Sequence, residues 1–248
     1  MLDYINKIVS NYDIRMVTEI GSQMWGMDHV DSDHDIIVIY SVPTKTILRG
    51  DKYKSNLPSK HHIEIECSLY DFQFIEIGHF VNLLKKGNIN AVFAILSPLS
   101  VVMQDEIKEL RKVISSIEFT TAMIPSTIGW AKSQLADMEK RKDTRDPTKS
   151  LRCAYRTTKW MSDFLQLYVI PEDACLPPIK LGDVKFEPVK SDICVEEVEC
   201  IIWNLETFKH QYEDQTPEDC FPINEMPVDE LSEFLYKYRM KNVVESSI

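Results

Sequence analysis

The stretch from Ile20 to Tyr40, IGSQMWGMDHVDSDHDIIVIY, decides how the chain folds. Just upstream, Ile14, Met16, Val17, Thr18 and Ile20 give residues 14 to 20 a strand composition. Gly21 and Ser22 follow, and Gln23, Met24 and Trp25 then open a helix. That placement suits phosphate: glycine lets a ligand approach the backbone closely, serine adds a hydroxyl, and N–H groups at a helix start lack partners. Ten residues separate Ser22 from the triplet Asp33-His34-Asp35, which runs into Ile36, Ile37, Val38, Ile39 and Tyr40. An apolar run this short and this rich in β-branched residues predicts a buried strand. Strand alternation puts Asp33 and Asp35 on one face and His34 on the other. Two carboxylates about 4 Å apart repel by about 1 kcal/mol in water and about 4 kcal/mol at an effective dielectric near 20. A pair at the mouth of a buried strand therefore predicts a hard cation between them, Mg2+ or Mn2+, with the triphosphate oxygens of an NTP completing its shell.

The rest of the chain sets bounds on this unit. With 248 residues there is enough sequence for one large domain or two small ones. No apolar run approaches the roughly 20 residues of a membrane span, so no membrane partner is expected. The start, Met1-Leu2-Asp3-Tyr4, has neither a basic nor an apolar leader segment, and a cytoplasmic location is expected. The six cysteines include no C-x-x-C pair, which argues against a zinc site and predicts buried thiols. A net charge of -11 argues against indiscriminate nucleic-acid binding. The charge is unevenly spread, with nine basic and four acidic residues from Lys132 to Lys159 but fifteen acidic and three basic from Asp183 to Glu233.

In chain order, Leu2, Ile5, Ile8, Val9 and Tyr12 predict a helix over 2–12, and the polar segment 49–60 reads as a loop or irregular hairpin. Residues 61–75, HHIEIECSLYDFQFI, alternate as one long or two short strands. A third carboxylate for the site is expected here: Asp71, flanked by Tyr70 and Phe72, with Glu64 and Glu66 as competitors. His61 and His62, as strand neighbours, are expected to face opposite ways. A helix over 76–86 is stopped by Gly87, and a further helix covers 104–115. The second half is helical: 119–142, with a bend at Pro125; then a helix N-capped by Asp146 and running to about Tyr168; then two more around 195–212 and 227–241. On the helix after Asp146, Lys149, Arg152, Arg156 and Lys159 gather on one arc beside the apolar side formed by Leu151, Ala154, Tyr155, Thr158, Met161 and Leu165. A one-sign arc in an acidic chain is a candidate seat for phosphates, with Arg giving forked contacts.

Gly21-Ser22 followed by Asp33-His34-Asp35 on a strand resembles the nucleotidyltransferase superfamily that includes DNA polymerase beta. With Trp25-Gly26 and Ser32 added, it is similar to the predicted branch linked to RNA repair. The resemblance implies a third acid on a strand just before a helix of the form Ile-x-x-Phe-x-x-Leu-Leu followed by Lys-Gly-Asn. Ile77, Phe80, Leu83, Leu84, Lys86, Gly87 and Asn88 match that form, which favours Asp71. Asn88-Ile89-Asn90 departs from the usual Asn-Pro-Asn, and Tyr155-Arg156 matches a Tyr-Arg pair of the family.

The implied protein is an α+β enzyme, with a mixed-sheet, polymerase beta-like nucleotidyltransferase domain over 1–110 and a helical substrate-binding domain over 111–248. It would move a nucleoside monophosphate from an NTP to an acceptor hydroxyl on an RNA end, a protein or a small molecule, and release pyrophosphate. Asp33, Asp35 and Asp71 would be the catalytic and metal-binding residues, and Asp71 would also assist as base. Gly21, Ser22, Lys149, Arg152 and Arg156 would hold the nucleotide. Two rivals remain: a nucleotide-binding regulator that transfers nothing, and an antitoxin-type nucleotidyltransferase whose acidic stretch from Asp183 to Glu233 contacts a partner protein.

Overall fold

Eight residues, His34–Ser41, form the central strand of a five-stranded mixed sheet, and the run from Ile36 to Tyr40 is buried throughout. A strand covered on both faces needs apolar side chains at every position, which is why this run does not alternate with polar residues. The computed structural model describes residues 1–28, 32–141, 147–167, 178–190, 192–213 and 226–245. In chain order the elements are α1 (Leu2–Ile8), β1 (Asp13–Ile20), α2 (Gly21–Met24), β2 (His34–Ser41), α3 (Thr44–Leu48), β3 (Asn56–Ile65), β4 (Ser68–Glu76), α4 (Ile77–Lys85), α5 (Ile89–Leu96), β5 (Ser100–Met103), α6 (Asp105–Ser115), α7 (Ile124–Arg141), α8 (Pro147–Phe164), α9 (Val195–Glu213) and α10 (Val228–Glu245). The class is α+β. The N-cap expected at Asp146, the helix end near Tyr168, and Cys175 and Cys220 lie outside the described residues.

Residue packing divides the chain into two units: Met1–Lys85, Asn90–Ile114 and Pro227–Ile248 form one, and Lys86–Ile89 with Ser115–Met226 the other. Whereas 111–248 was expected to be a single helical domain, the last helix, α10, groups with the sheet.

In the first unit the strand order is β3-β4-β2-β1-β5. β2 and β4 run parallel, and the other pairs are antiparallel. One face buries Val17, Ile36, Val38, Tyr40, Phe72 and Phe74 against Ile5 and Val9 of the first helix segment. Each fully buried side chain of this size contributes about 1.5–3 kcal/mol. On the other face Ile37, Ile39 and Met16 are buried, and α4, whose Ile77, Phe80, Val81 and Leu84 are inward, packs on β2 and β4. α1 stops at Ile8, four residues short of the helix expected over 2–12. β3 begins at Asn56 inside the segment expected to be a loop; it is an edge strand, where Pro58 costs no ladder hydrogen bond.

β4 is anchored at its far end. Glu76, 2 % exposed, pairs with Arg239 of α10 and accepts the Gly78 N–H at 2.6 Å, while Arg239 Nη1 donates to Val42 O at 3.0 Å. A side chain at position 78 would crowd this knot, since a Cβ there would lie 2.9 Å from Glu76 Oε2.

In the second unit α7, α8 and α9 pack on one another around Ala131, Ala154, Met161, Val198 and Leu205. Phe119 meets Phe208 edge-on at 6.2 Å, and Trp160 stacks on Phe186 at 5.9 Å. Pro125 does not bend a long helix. α7 starts at Ile124, so Pro125 sits in the first turn, where its missing N–H has no intrahelical partner to lose. The buried-thiol expectation fails at three described positions: Cys67, Cys194 and Cys200 are exposed, and Cys153 is half-buried. Among the described residues no helix is long and apolar enough to cross a membrane.

Replacing Glu76 by Ala strands the Arg239 guanidinium in a mostly buried setting. Urea unfolding should show a loss of about 3 kcal/mol or more, and Glu76→Ala/Arg239→Ala should cost less than the sum of the two single changes.

Candidate active site

The ladder between β2 and β4 sets the site. In that parallel pair Asp35 lies opposite Asp71, His34 opposite Tyr70, and Ile36 opposite Phe72. Residues facing each other in a sheet share a side, so the Asp35 and Asp71 carboxylates project from one face as neighbours. They line a cleft with Ile20, Ile36, Ile37, His61 and Gln73. β2 begins at His34, so Asp35 is in the ladder, while Asp33 precedes the strand and is half-buried. Glu64 and Glu66, the other acids weighed for this strand pair, are exposed toward the β3–β4 turn, where Glu66 has φ 51°.

The row behind the two carboxylates is pinned from the opposite face. His34 stacks on Tyr70 with ring centroids 4.6 Å apart, and its Nδ1 lies 2.6 Å from Glu19 Oε1, so a single imidazole ties β1, β2 and β4 together. Burial, then the nearby Glu19 and Glu66 carboxylates, raises the Tyr70 phenol above its usual range, so Tyr70 stays neutral. β1 is fixed at its end by Ser97, whose Oγ donates to Glu19 O at 2.6 Å, and by the Glu19 N–H donating to Leu99 O at 3.1 Å.

Gly21 follows directly after β1 with φ +71°, a left-handed conformation that favours glycine. A Cβ there would lie 2.0 Å from Asp35 Oδ2, so the turn passes directly against the Asp35 carboxylate. Ser22 O accepts the N–H groups of Trp25 and Met27 at 3.1 and 3.0 Å, which closes the turn. Trp25 then packs edge-on against Phe93 of α5 at 5.5 Å. The structure therefore brings Gly21, Asp35 and Asp71 together.

Asp71 has two partners that strand alternation did not foresee. His62 N–H donates to its Oδ1 at 2.7 Å, and His61 Nδ1 lies 3.2 Å from its Oδ2; His62 Nδ1 is 3.7 Å from Oδ1. His61 and His62 were expected to face opposite ways. They do not, because the β3–β4 register skips between Lys60 and Ile63 and His62 takes φ 53°, a bulge that turns both residues toward one carboxylate. Burial alone would push the Asp71 carboxyl up, but the His62 N–H, the hydrogen bond from His61 and the charges of the two imidazoles together hold it below the ordinary carboxylate range. The signal in the sequence was the His-His doublet itself, but the bulge that gives it meaning depends on pairing with β4.

Lys149, Arg152 and Arg156 lie on α8 in the second unit. Lys149 is exposed, while Arg152 and Arg156 are half-buried, and among the described residues Arg152 Nε is buried without a hydrogen-bond partner. Lys159, the fourth member of the arc, forms an i,i+4 pair with Asp163 at 2.6 Å, which reduces its charge toward an outside anion.

Among the described residues no three His, Cys, Asp or Glu side chains come together as an all-protein metal cage. Mg2+ is commonly held by one or two carboxylates together with substrate phosphates. The Asp35–Asp71 pair, all oxygen and open to the cleft, fits that kind of donor set.

A sequence model of the RNA repair pathway DNA polymerase beta family matches residues 2–229. A comparison with curated proteins finds no match. Among solved structures, a nucleotidyltransferase-like protein from Exiguobacterium sibiricum 255-15 aligns over 100 % of this chain and 92 % of its own, at 10 % identity and a TM-score of 0.32, a likeness too slight to carry an argument.

Gly21→Ala should lower stability by about 2 kcal/mol or more through its backbone conformation and the clash with Asp35. Adding Asp35→Ala should recover at least about 1 kcal/mol by removing the clashing carboxylate while leaving the φ strain. Denaturant unfolding of the single and double variants checks this.

Proposed function

The chain belongs to the RNA repair pathway DNA polymerase beta family, and on that premise we propose that it moves a nucleoside monophosphate from an NTP to a hydroxyl on RNA, with a divalent metal and with release of pyrophosphate. Membership makes it a nucleotidyltransferase of the polymerase beta type; the metal, the nucleotide and the acceptor are the proposed part. One observation carries the reading: Asp35 and Asp71 stand in register on parallel strands, and Gly21 passes against Asp35 without a side chain. The family's description in terms of RNA repair supports RNA as the acceptor.

Asp35 and Asp71, with Asp33 at the entry to β2, are the residues assigned to Mg2+ or Mn2+. Such a cation, when bound, would neutralise phosphate charge on either side of an in-line displacement. The acceptor oxygen forms a bond to the α-phosphorus while the bond from that phosphorus to the pyrophosphate oxygen breaks, and the hydroxyl proton leaves to water. Gly21 and Ser22 are assigned to the β- and γ-phosphates, where the missing Cβ lets the backbone approach. Asp71, with Oδ1 and Oδ2 met by the His62 N–H and by His61 Nδ1, is assigned as a ligand that also assists as base. On the second unit, Lys149, Arg152 and Arg156 are assigned to phosphate groups of the nucleotide or the acceptor. Catalysis of this kind is mostly positioning and charge neutralisation.

Each NTP, labelled at the α-phosphate, should be incubated with the protein, Mg2+ or Mn2+, RNA bearing a 3′ hydroxyl and a pool of cellular protein. Label should enter RNA, and Asp35→Ala or Asp71→Ala should cut transfer at least about a hundredfold. Nucleotide binding with no transfer under any condition would point to a regulator instead, and label on protein would replace RNA as the acceptor.

A further inference from the structure

The His61–His62 bulge in β3 is strained, exposed and aimed at one atom group. His62 holds a left-handed φ of 53° without being glycine, and a conformation of this kind persists only where the surroundings impose it. The imidazoles are 58 % and 63 % exposed, so their pairing with Asp71 adds little to folding stability. What the bulge does achieve is to fix Asp71. Oδ1 takes the His62 N–H at 2.7 Å, and Oδ2 faces His61 Nδ1 at 3.2 Å, so both oxygens are held and the carboxylate cannot rotate freely. An ionised carboxylate can accept about four hydrogen bonds or metal contacts, so capacity remains on each oxygen. His61 itself lines the cleft beside Asp35 and Asp71.

We propose that His61, together with the His62 backbone N–H, is a positioning device for Asp71, holding its carboxylate in the orientation that takes a divalent cation and nucleotide beside Asp35. This rests on the reading of Asp35 and Asp71 as the cation-binding pair. Partners of this kind orient metal-binding carboxylates, and losing one typically weakens metal affinity 10–100-fold. Neither His61 nor His62 touches the transferred group in this proposal.

The test uses the full chain with Mn2+ and a non-hydrolysable NTP analogue, and reads Mn2+ affinity by electron paramagnetic resonance rather than turnover. His61→Leu should weaken Mn2+ binding at least about tenfold, with unchanged circular dichroism. His61→Asn, which keeps an N–H donor near the position of Nδ1, should restore affinity to within about threefold of wild type. Equal affinities for His61→Leu and wild type, or equal losses for His61→Leu and His61→Asn, would overturn the positioning role. Asp35→Asn separates this from the underlying reading. If Asp35→Asn loses Mn2+ and His61→Leu does not, only the positioning proposal fails. If Asp35→Asn keeps wild-type affinity, or wild type binds no Mn2+ with the nucleotide, the cation-binding pair fails and takes this proposal with it.

Discussion

Two carboxylates facing each other across a parallel strand pair, at the usual strand spacing of about 4.8 Å, repel by about 3–4 kcal/mol at an effective dielectric near 20. The site depends on how the chain tolerates that repulsion at Asp35 and Asp71. Part of the answer is local: the His62 N–H and the His61 imidazole meet the Asp71 oxygens, and Gly21 leaves room for the Asp35 carboxylate against the chain. Part is imposed by packing. Ile36 opposite Phe72 and Val38 opposite Phe74 bury apolar side chains in the rows behind the acids. A register slip of one residue would turn those side chains toward the wrong face, so the core holds the acids side by side.

The same sheet is braced at both ends of β4. Near Asp71, the His34–Tyr70 stack and the His34–Glu19 contact join three strands. Five residues further on, Glu76 is fixed by Arg239 and the Gly78 N–H. The strand that presents Asp71 is thus tied to the last helix of the chain, and the first unit needs residues from both ends of the sequence to hold it. That arrangement suits chemistry that relies on preorganised charge, since the groups must not move as the reaction proceeds.

The parts legible in the sequence were those written in local patterns. The β-branched run from Ile36 to Ile39 announced the central strand, Gly21-Ser22 announced the turn, and Gly87 marked the end of α4. The pairing of Asp71 with Asp35 came from resemblance, because the two residues that face each other stand 36 positions apart in the sequence. The bulge at His61–His62 escaped for the same reason: a skipped residue shows only once the partner strand is in place. The return of α10 rests on long-range contacts, its packing on α3 and α4 and the ion pair between Glu76 and Arg239, 163 residues apart, which no window along the chain can contain. The Lys159–Asp163 pair lies within one helical turn, yet the reading of the basic arc from its charges alone left Asp163 out.

The central claim is that Asp35 and Asp71 jointly hold the cation that accompanies the nucleotide. Crystals of the full chain grown with Mn2+ and a non-hydrolysable NTP analogue, with anomalous data collected at the manganese edge, test it most directly. The account predicts an anomalous peak within ligand distance of both carboxylates, with the triphosphate lying against Gly21 and Ser22. A bound nucleotide whose metal touches neither Asp35 nor Asp71 would contradict it.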